Sequence, residues 1–196
     1  NQLSFEKFPY TAFSKTYNTD SQTPDSAGTM TAMITGAKTR MGFLSVNQIP
    51  DRGDCAASLK NPLISAVTLA ELAGLATGVV TTTRITHATP AATYAHSPER
   101  NWESDADMPD TAKQQGCKDI AQQLIEYSAG NGLEVVMGGG LNKFLPKGSY
   151  PNYNNTKGSR ADGRNLIAEW TTKNPSATFV STGSQLAKIN IADTKK

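Results

Sequence analysis

The sequence predicts an α/β fold, with a mainly parallel sheet and helices on both of its faces. Three observations predict it. Short apolar runs of strand character alternate with longer amphipathic runs, and strands separated by helices pair in parallel. Gly, Pro, Asn and Asp punctuate the runs where helices should start and stop. Hydroxyl-rich residues gather where an apolar run ends, and open α/β sheets build their sites at the carboxyl ends of strands.

In chain order, Thr23-Pro24 reads as a turn. Ala27 to Gly36 reads as a short helix, with Asp25 or Ser26 as its N-cap. Asn61 followed by Pro62 reads as an N-cap and an N1 proline. Leu63, Val67, Ala70, Leu72 and Leu75 then give an amphipathic helix that ends near Gly74 or Gly78. Leu75 to Val80 is apolar, and Gly78 to Thr82 is a strand. Asp110 to Tyr127 reads as one helix with Cys117, Ile120, Ala121, Leu124 and Ile125 on its inner face. Leu133 to Met137 is a strand, closed by Gly138-Gly139-Gly140. That triplet lacks the Lys and Ser/Thr of a phosphate-cradling loop and opens no helix, so it reads as a tight turn. Residues 142–159 read as a polar loop, in which Asn154-Asn155-Thr156 has the form of a glycosylation acceptor. Asn165 to Thr172 is a helix, Ala177 to Val180 a strand, and Gly183 to Ile189 opens a last helix.

The chain has 196 residues, of which 37% are hydrophobic and 18% charged, with a net charge of +2. It is long enough to bury a sizeable core. A balance this near neutral points to neither nucleic acid nor an anionic membrane surface. No apolar stretch approaches the roughly 20 residues that span a bilayer. Richness in Thr, Ala, Asn and Gly suits a secreted or periplasmic protein with many turns. The first residue is Asn1 rather than Met, and no signal peptide is present, so a cut or processed N-terminus is expected. The two cysteines are Cys55 and Cys117. The residues alone do not pair them, and two free core thiols is the plain reading.

The segment Asp25-Ser26-Ala27-Gly28-Thr29 carries the sharpest chemical signal. It places a serine at the start of a helix, where free N–H groups and the dipole favour negative charge. A serine there can hold a phosphate, or attack one once its proton is removed. Simple capping accounts for the same residues. Arg100 offers a guanidinium fork that fits two phosphate oxygens at once. A surface pair with Glu99 or Asp105 is the alternative.

Taken together, several blocks resemble the alkaline phosphatase family, in the branch that includes the animal enzymes and some bacterial ones. They are Pro24-Asp25-Ser26-Ala27-Gly28-Thr29, Val79-Val80-Thr81-Thr82-Thr83-Arg84, His87-Ala88-Thr89-Pro90, Tyr94-Ala95-His96, Arg100-Asn101-Trp102, Gly116-Cys117-Lys118-Asp119-Ile120-Ala121 and Gly138-Gly139-Gly140. They occur in the family's order and at about its spacing, from about Phe5 to about Leu186. The resemblance implies a three-layer α/β/α fold, incomplete in this chain. It implies hydrolysis of small phosphate monoesters through a phosphoserine intermediate, with two zinc ions and one magnesium ion. Ser26 matches the nucleophile, whose Oγ also meets zinc, and Arg100 the phosphate clamp. Asp25 matches the carboxylate that steadies this Arg. Thr89 matches a hydroxyl ligand of magnesium, and His87 stands near that ion, acting through water. His96 matches no metal position and reads as structural. Cys55 and Cys117 match a disulfide pair, which implies an oxidising compartment: secreted, periplasmic or cell-surface. A homodimer is implied for the full enzyme.

The match breaks at the metals. The family's aspartate upstream of the nucleophile, and its Glu, Asp and His ligands far downstream, have no counterparts here. The chain is therefore expected to be part of a single domain whose first strand and downstream half lie outside it. Two other functions remain open: a non-catalytic phosphate-binding fragment, and another hydrolase of the superfamily. A sulfatase would want Pro two residues after its nucleophile and then Arg, which Ala27-Gly28-Thr29 does not offer.

Overall fold

The computed structural model describes residues 2–190. Helix α1 (Ser26–Thr35) starts where the extended Asp25 accepts a hydrogen bond from the Gly28 amide, and ends at Gly36 in the left-handed region. Asp25, rather than Ser26, is thus the cap. A short helix α2 (Cys55–Ser58) follows, capped by Asp54. Helix α3 (Ala66–Leu72) begins at the cap Ser65, not at Asn61. Pro62 instead bridges to Val46, and the Leu63 amide donates to the Ser45 carbonyl. The Ser65 hydroxyl is anchored on the Thr93 carbonyl at 2.7 Å, which fixes where this helix starts. The predicted apolar stripe is covered only in part: Leu63, Val67 and Ala70 are half-buried and Leu72 and Leu75 exposed, while Glu71 is the buried residue of α3.

Strand β1 (Gly78–Arg84) leads into α4 (Ala88–Ala91). The single helix expected over Asp110 to Tyr127 is two: α5 (Asp110–Gln114) and α6 (Ile120–Ile125). Gly116, with φ at 92°, breaks the first, and the Asp119 carboxylate caps the second through the Gln122 amide. Strand β2 (Val135–Gly139) runs parallel to β1, with Gly78 opposite Val135 and Val80 opposite Met137. Gly138 and Gly139 therefore belong to the strand rather than to a tight turn. A Cβ on Gly138 would fall 2.9 Å from Thr81 Cγ2, so the bare backbone permits this close pairing.

The expected polar loop holds an antiparallel hairpin, β3 (Gly148–Tyr150) with β4 (Thr156–Gly158). Asn154 sits exposed at its turn. Helix α7 (Leu166–Lys173) lies within a residue of its predicted bounds at each end, with Asn165 as its cap. Residues 177–180 form no strand, because no neighbouring strand pairs with them among the described residues. The last helix, α8 (Gly183–Leu186), is shorter than expected.

The α/β prediction holds: a parallel pair joined by a helical crossover, with helices packed against it. One core joins α1, α4 and α6 through Ala27, Leu44, Ala88, Ala91 and Ile120. A second lies under β1 and α7 around Val79, Ile85, Leu145 and Leu166. A third, Cys55, Trp102, Met108 and Ala112, surrounds a disulfide between Cys55 and Cys117, whose Cα atoms are 5.9 Å apart. No helix among the described residues is long and apolar enough to cross a membrane.

Candidate active site

Ser26 is the first residue of α1 and is half-buried, and its hydroxyl makes no hydrogen bond within the described residues. Small residues follow because α1 must lie close to α4: Ala27 and Gly28 are fully enclosed. Asp25 next to it is held by four donors. Its Oδ1 accepts from the Gly28 amide and from Asn18 Nδ2, each at 2.9 Å. Its Oδ2 accepts from the Gly42 amide at 2.9 Å and from Arg100 Nη1 at 3.0 Å. Burial pushes this carboxyl up, but the Gly28 amide, Arg100, Asn18 and the Gly42 amide together outweigh it and hold it below the usual range.

Arg100 is the far end of that contact, 75 residues along the chain. The surface partners that the sequence offered it are engaged elsewhere. Glu99 receives both ends of the Arg52 fork, at 2.7 and 3.1 Å. Asp105 accepts from the Ala161 amide and faces Arg160. The second Nη of Arg100 lies 3.3 Å from His87 Nε2. A guanidinium only donates, so Nε2 accepts and the imidazole is neutral with its proton on Nδ1. That Nδ1 is buried without a hydrogen-bond partner among the described residues. Burial, then the charges of Arg100 and Arg84, lower the His87 pKa. Thr89 stands two residues on, in the first turn of α4. The structure therefore joins Asp25, Arg100 and His87 through direct contacts, with Ser26 next to Asp25 and Thr89 two residues from His87 in sequence. His96 is apart from them, its Nδ1 on the Ser45 carbonyl at 2.8 Å, as expected for a structural residue.

Two supports escaped the sequence reading. Asn18 and Gly42 hold Asp25 from opposite sides, and no spacing rule links them to it. Arg84, at the end of β1, is fixed by a two-pronged bond to Glu103, at 2.8 Å on both prongs, which also accepts from Thr86. The run Thr81-Thr82-Thr83-Arg84 was a visible signal, but its partner Glu103 was not.

Among the described residues no group of three or more His, Cys, Asp and Glu is arranged to hold a metal ion. These residues do not by themselves fit a zinc pair. A cavity of about 450 Å³ lies beside the disulfide, lined by Met108, Asp119 and Asp162 among others, and not at Ser26. Its three acids, Asp105, Asp119 and Asp162, all pair with Arg160, which accounts for them structurally.

A family model described as alkaline phosphatase matches residues 1–196. The chain is 45% identical over 177 residues to the alkaline phosphatase of Gadus morhua, covering 88% of this chain and 37% of that protein. It thus spans little more than a third of that relative's length. Among solved structures it resembles the cold-active alkaline phosphatase of a Shewanella species, with a TM-score of 0.65 and 26% identity, over 96% of this chain and 36% of that one. It also resembles a variant of the TAB5 alkaline phosphatase, described with magnesium bound in its M3 site. There the TM-score is 0.56 and the identity 27%, over 89% of this chain and 39% of the other.

Proposed function

The chain belongs to the alkaline phosphatase family, and from that premise we propose that the whole protein hydrolyses phosphate monoesters through phosphorylation of Ser26. The observation that carries this reading is the Asp25–Arg100 contact. It ties a guanidinium, across 75 residues of sequence, to the carboxylate of the residue immediately before Ser26.

In the proposed reaction, Ser26 Oγ bonds to phosphorus while the ester P–O bond breaks. The serine proton ends on the departing alcohol. Water then cleaves the phosphoserine, releasing inorganic phosphate and restoring the hydroxyl. Arg100 grips two oxygens of the transferring group, and the α1 N-terminus adds favourable dipole. Asp25 is a positioning residue: it holds Arg100, and it is itself saturated with donors.

No step here runs through a metal, because the described residues do not assemble the carboxylates and imidazoles that a zinc pair needs. This segment would bring the Ser26 hydroxyl to zinc and the Thr89 hydroxyl to magnesium, with the buried Nδ1–H of His87 near the latter. A zinc ion lowers the pKa of a bound hydroxyl. The disulfide supports our assignment of the protein to a secreted, periplasmic or cell-surface place, and a homodimer is the assembly we assign to the whole protein.

Kinetics of the whole protein test the reading. Ser26→Ala should remove nearly all turnover of a chromogenic phosphate ester. Turnover at the wild-type rate would overturn it.

A further inference from the structure

We infer that Asn18 is a positioning residue for Arg100, acting through Asp25. The inference rests on the Ser26–Arg100 reading above and adds a residue to it. Asn18 is 3% exposed, although it is a polar residue in a stretch that is otherwise exposed from residue 2 to 20. Its backbone is locked before its side chain is used. The Asn18 amide donates to the Ser21 carbonyl at 3.0 Å and the Ser21 amide returns the bond at 3.2 Å. The Thr19 amide donates to the Thr39 carbonyl at 3.0 Å. One residue earlier, Lys38 Nζ reaches the carbonyls of Lys15 and Tyr17 and lies over the Tyr17 ring.

The side chain then has one task. An ionised carboxylate only accepts, so the amide nitrogen of Asn18 must be the atom that faces Asp25. With Asn18 and the Gly28 amide both on Oδ1, the carboxylate cannot rotate without losing two bonds. Oδ2 is thereby left pointing at Gly42 and Arg100. Gly28 makes room for this. A Cβ there would fall 2.7 Å from Asn18 Oδ1. One N–H on each Nη of Arg100 is then taken, by Asp25 and by His87, and the guanidinium plane is fixed.

The test uses the whole protein, with inorganic phosphate as the probe. Its inhibition constant, kcat and KM would be measured from acid to alkaline pH for wild type, Asn18→Asp, Asn18→Ala and Ser26→Ala. Asn18→Asp keeps the shape but turns the donor into an acceptor that repels Asp25. Phosphate inhibition should weaken about tenfold, or ~1.4 kcal/mol. The loss should shrink on acidification, as a proton on the introduced carboxyl restores a donor to Asp25. KM should rise more than kcat falls. Asn18→Ala should weaken phosphate about threefold with no pH dependence of its own. A purely structural role would change thermal stability without this pH signature. Wild-type phosphate inhibition in Asn18→Asp would overturn the inference; if that variant does not fold, wild-type inhibition in Asn18→Ala would do so. Failure of the underlying reading shows separately, as turnover retained by Ser26→Ala.

Discussion

At the scale of single residues, the site is a chain of committed donors and acceptors, so each member has its own signature. Under the proposed reaction, Arg100 would contribute a charge-assisted grip of about 1.5–3 kcal/mol. Arg100→Ala should therefore weaken phosphate inhibition by roughly 10- to 100-fold and slow turnover without abolishing it. Arg100→Lys should recover little, since a point charge cannot replace the fork. The Asp25 carboxyl is held below its ordinary value of 3.8. A depressed carboxyl contributes stability that is present above its unfolded pKa and is lost as pH falls through the folded one. Wild type should exceed Asp25→Asn in stability at neutral pH, and the two should converge below about pH 4. Gly28→Ala sets two effects against each other. Alanine favours a helix by about 1 kcal/mol, but the new Cβ would meet the Arg40 carbonyl oxygen at 2.9 Å. The carbonyl is backbone and cannot swing aside, so the variant should lose about 1–3 kcal/mol, measured by urea unfolding. Ser26, Arg100, Asp25, His87 and Thr89 were legible as candidates because each sits in a short local motif. Asn18 and Glu103 were not, because their partners are fixed only by the fold.

At the scale of elements, the sequence located α1, β1 and α7 within a few residues, because each has a cap or a period of its own. It failed at Asp110 to Tyr127, where one helix was expected and Gly116, at positive φ, ends α5. What holds the cap at which α6 restarts is a long-range contact. Arg160, with its side chain wholly buried, reaches Asp119 at 2.9 Å, and Asp119 caps α6. Burial pushes the Asp119 carboxyl up, against the opposing pull of Arg160. Removing one member of a buried pair typically costs 3–5 kcal/mol, because the other is stranded. Arg160→Met should destabilise by about that much, and adding Asp119→Asn should restore part of it; equal stability of Arg160→Met and wild type would show that the pair does not define this joint. The disulfide ties α2 to the same joint across 62 residues. In the chain-entropy model a loop of that size contributes about 4 kcal/mol. Its pairing was legible through family resemblance alone, since two cysteines by themselves leave both states open.

At the scale of the whole molecule, the described sheet is thinly covered. Parallel strands are ordinarily buried on both faces, yet all five residues of β2 are exposed, as is Val80 of β1. The single strand expected at Ala177 to Val180 did not form, because a strand needs a neighbour and none pairs with it among the described residues. Residues 1–196 expressed alone should therefore unfold without a cooperative transition and show no turnover with added zinc and magnesium. Robust metal-dependent turnover would mean that this segment supplies its own ligands. The most direct measurement bears on Ser26 itself. The whole protein, mixed with a phosphate ester and quenched in acid during turnover, would be digested and its peptides mapped by mass spectrometry. One phosphate is expected, on the peptide that contains Asp25-Ser26-Ala27 and at Ser26, and none in Ser26→Ala. A phosphorylated residue elsewhere, or turnover with no phosphoprotein and an active Ser26→Ala, would contradict it.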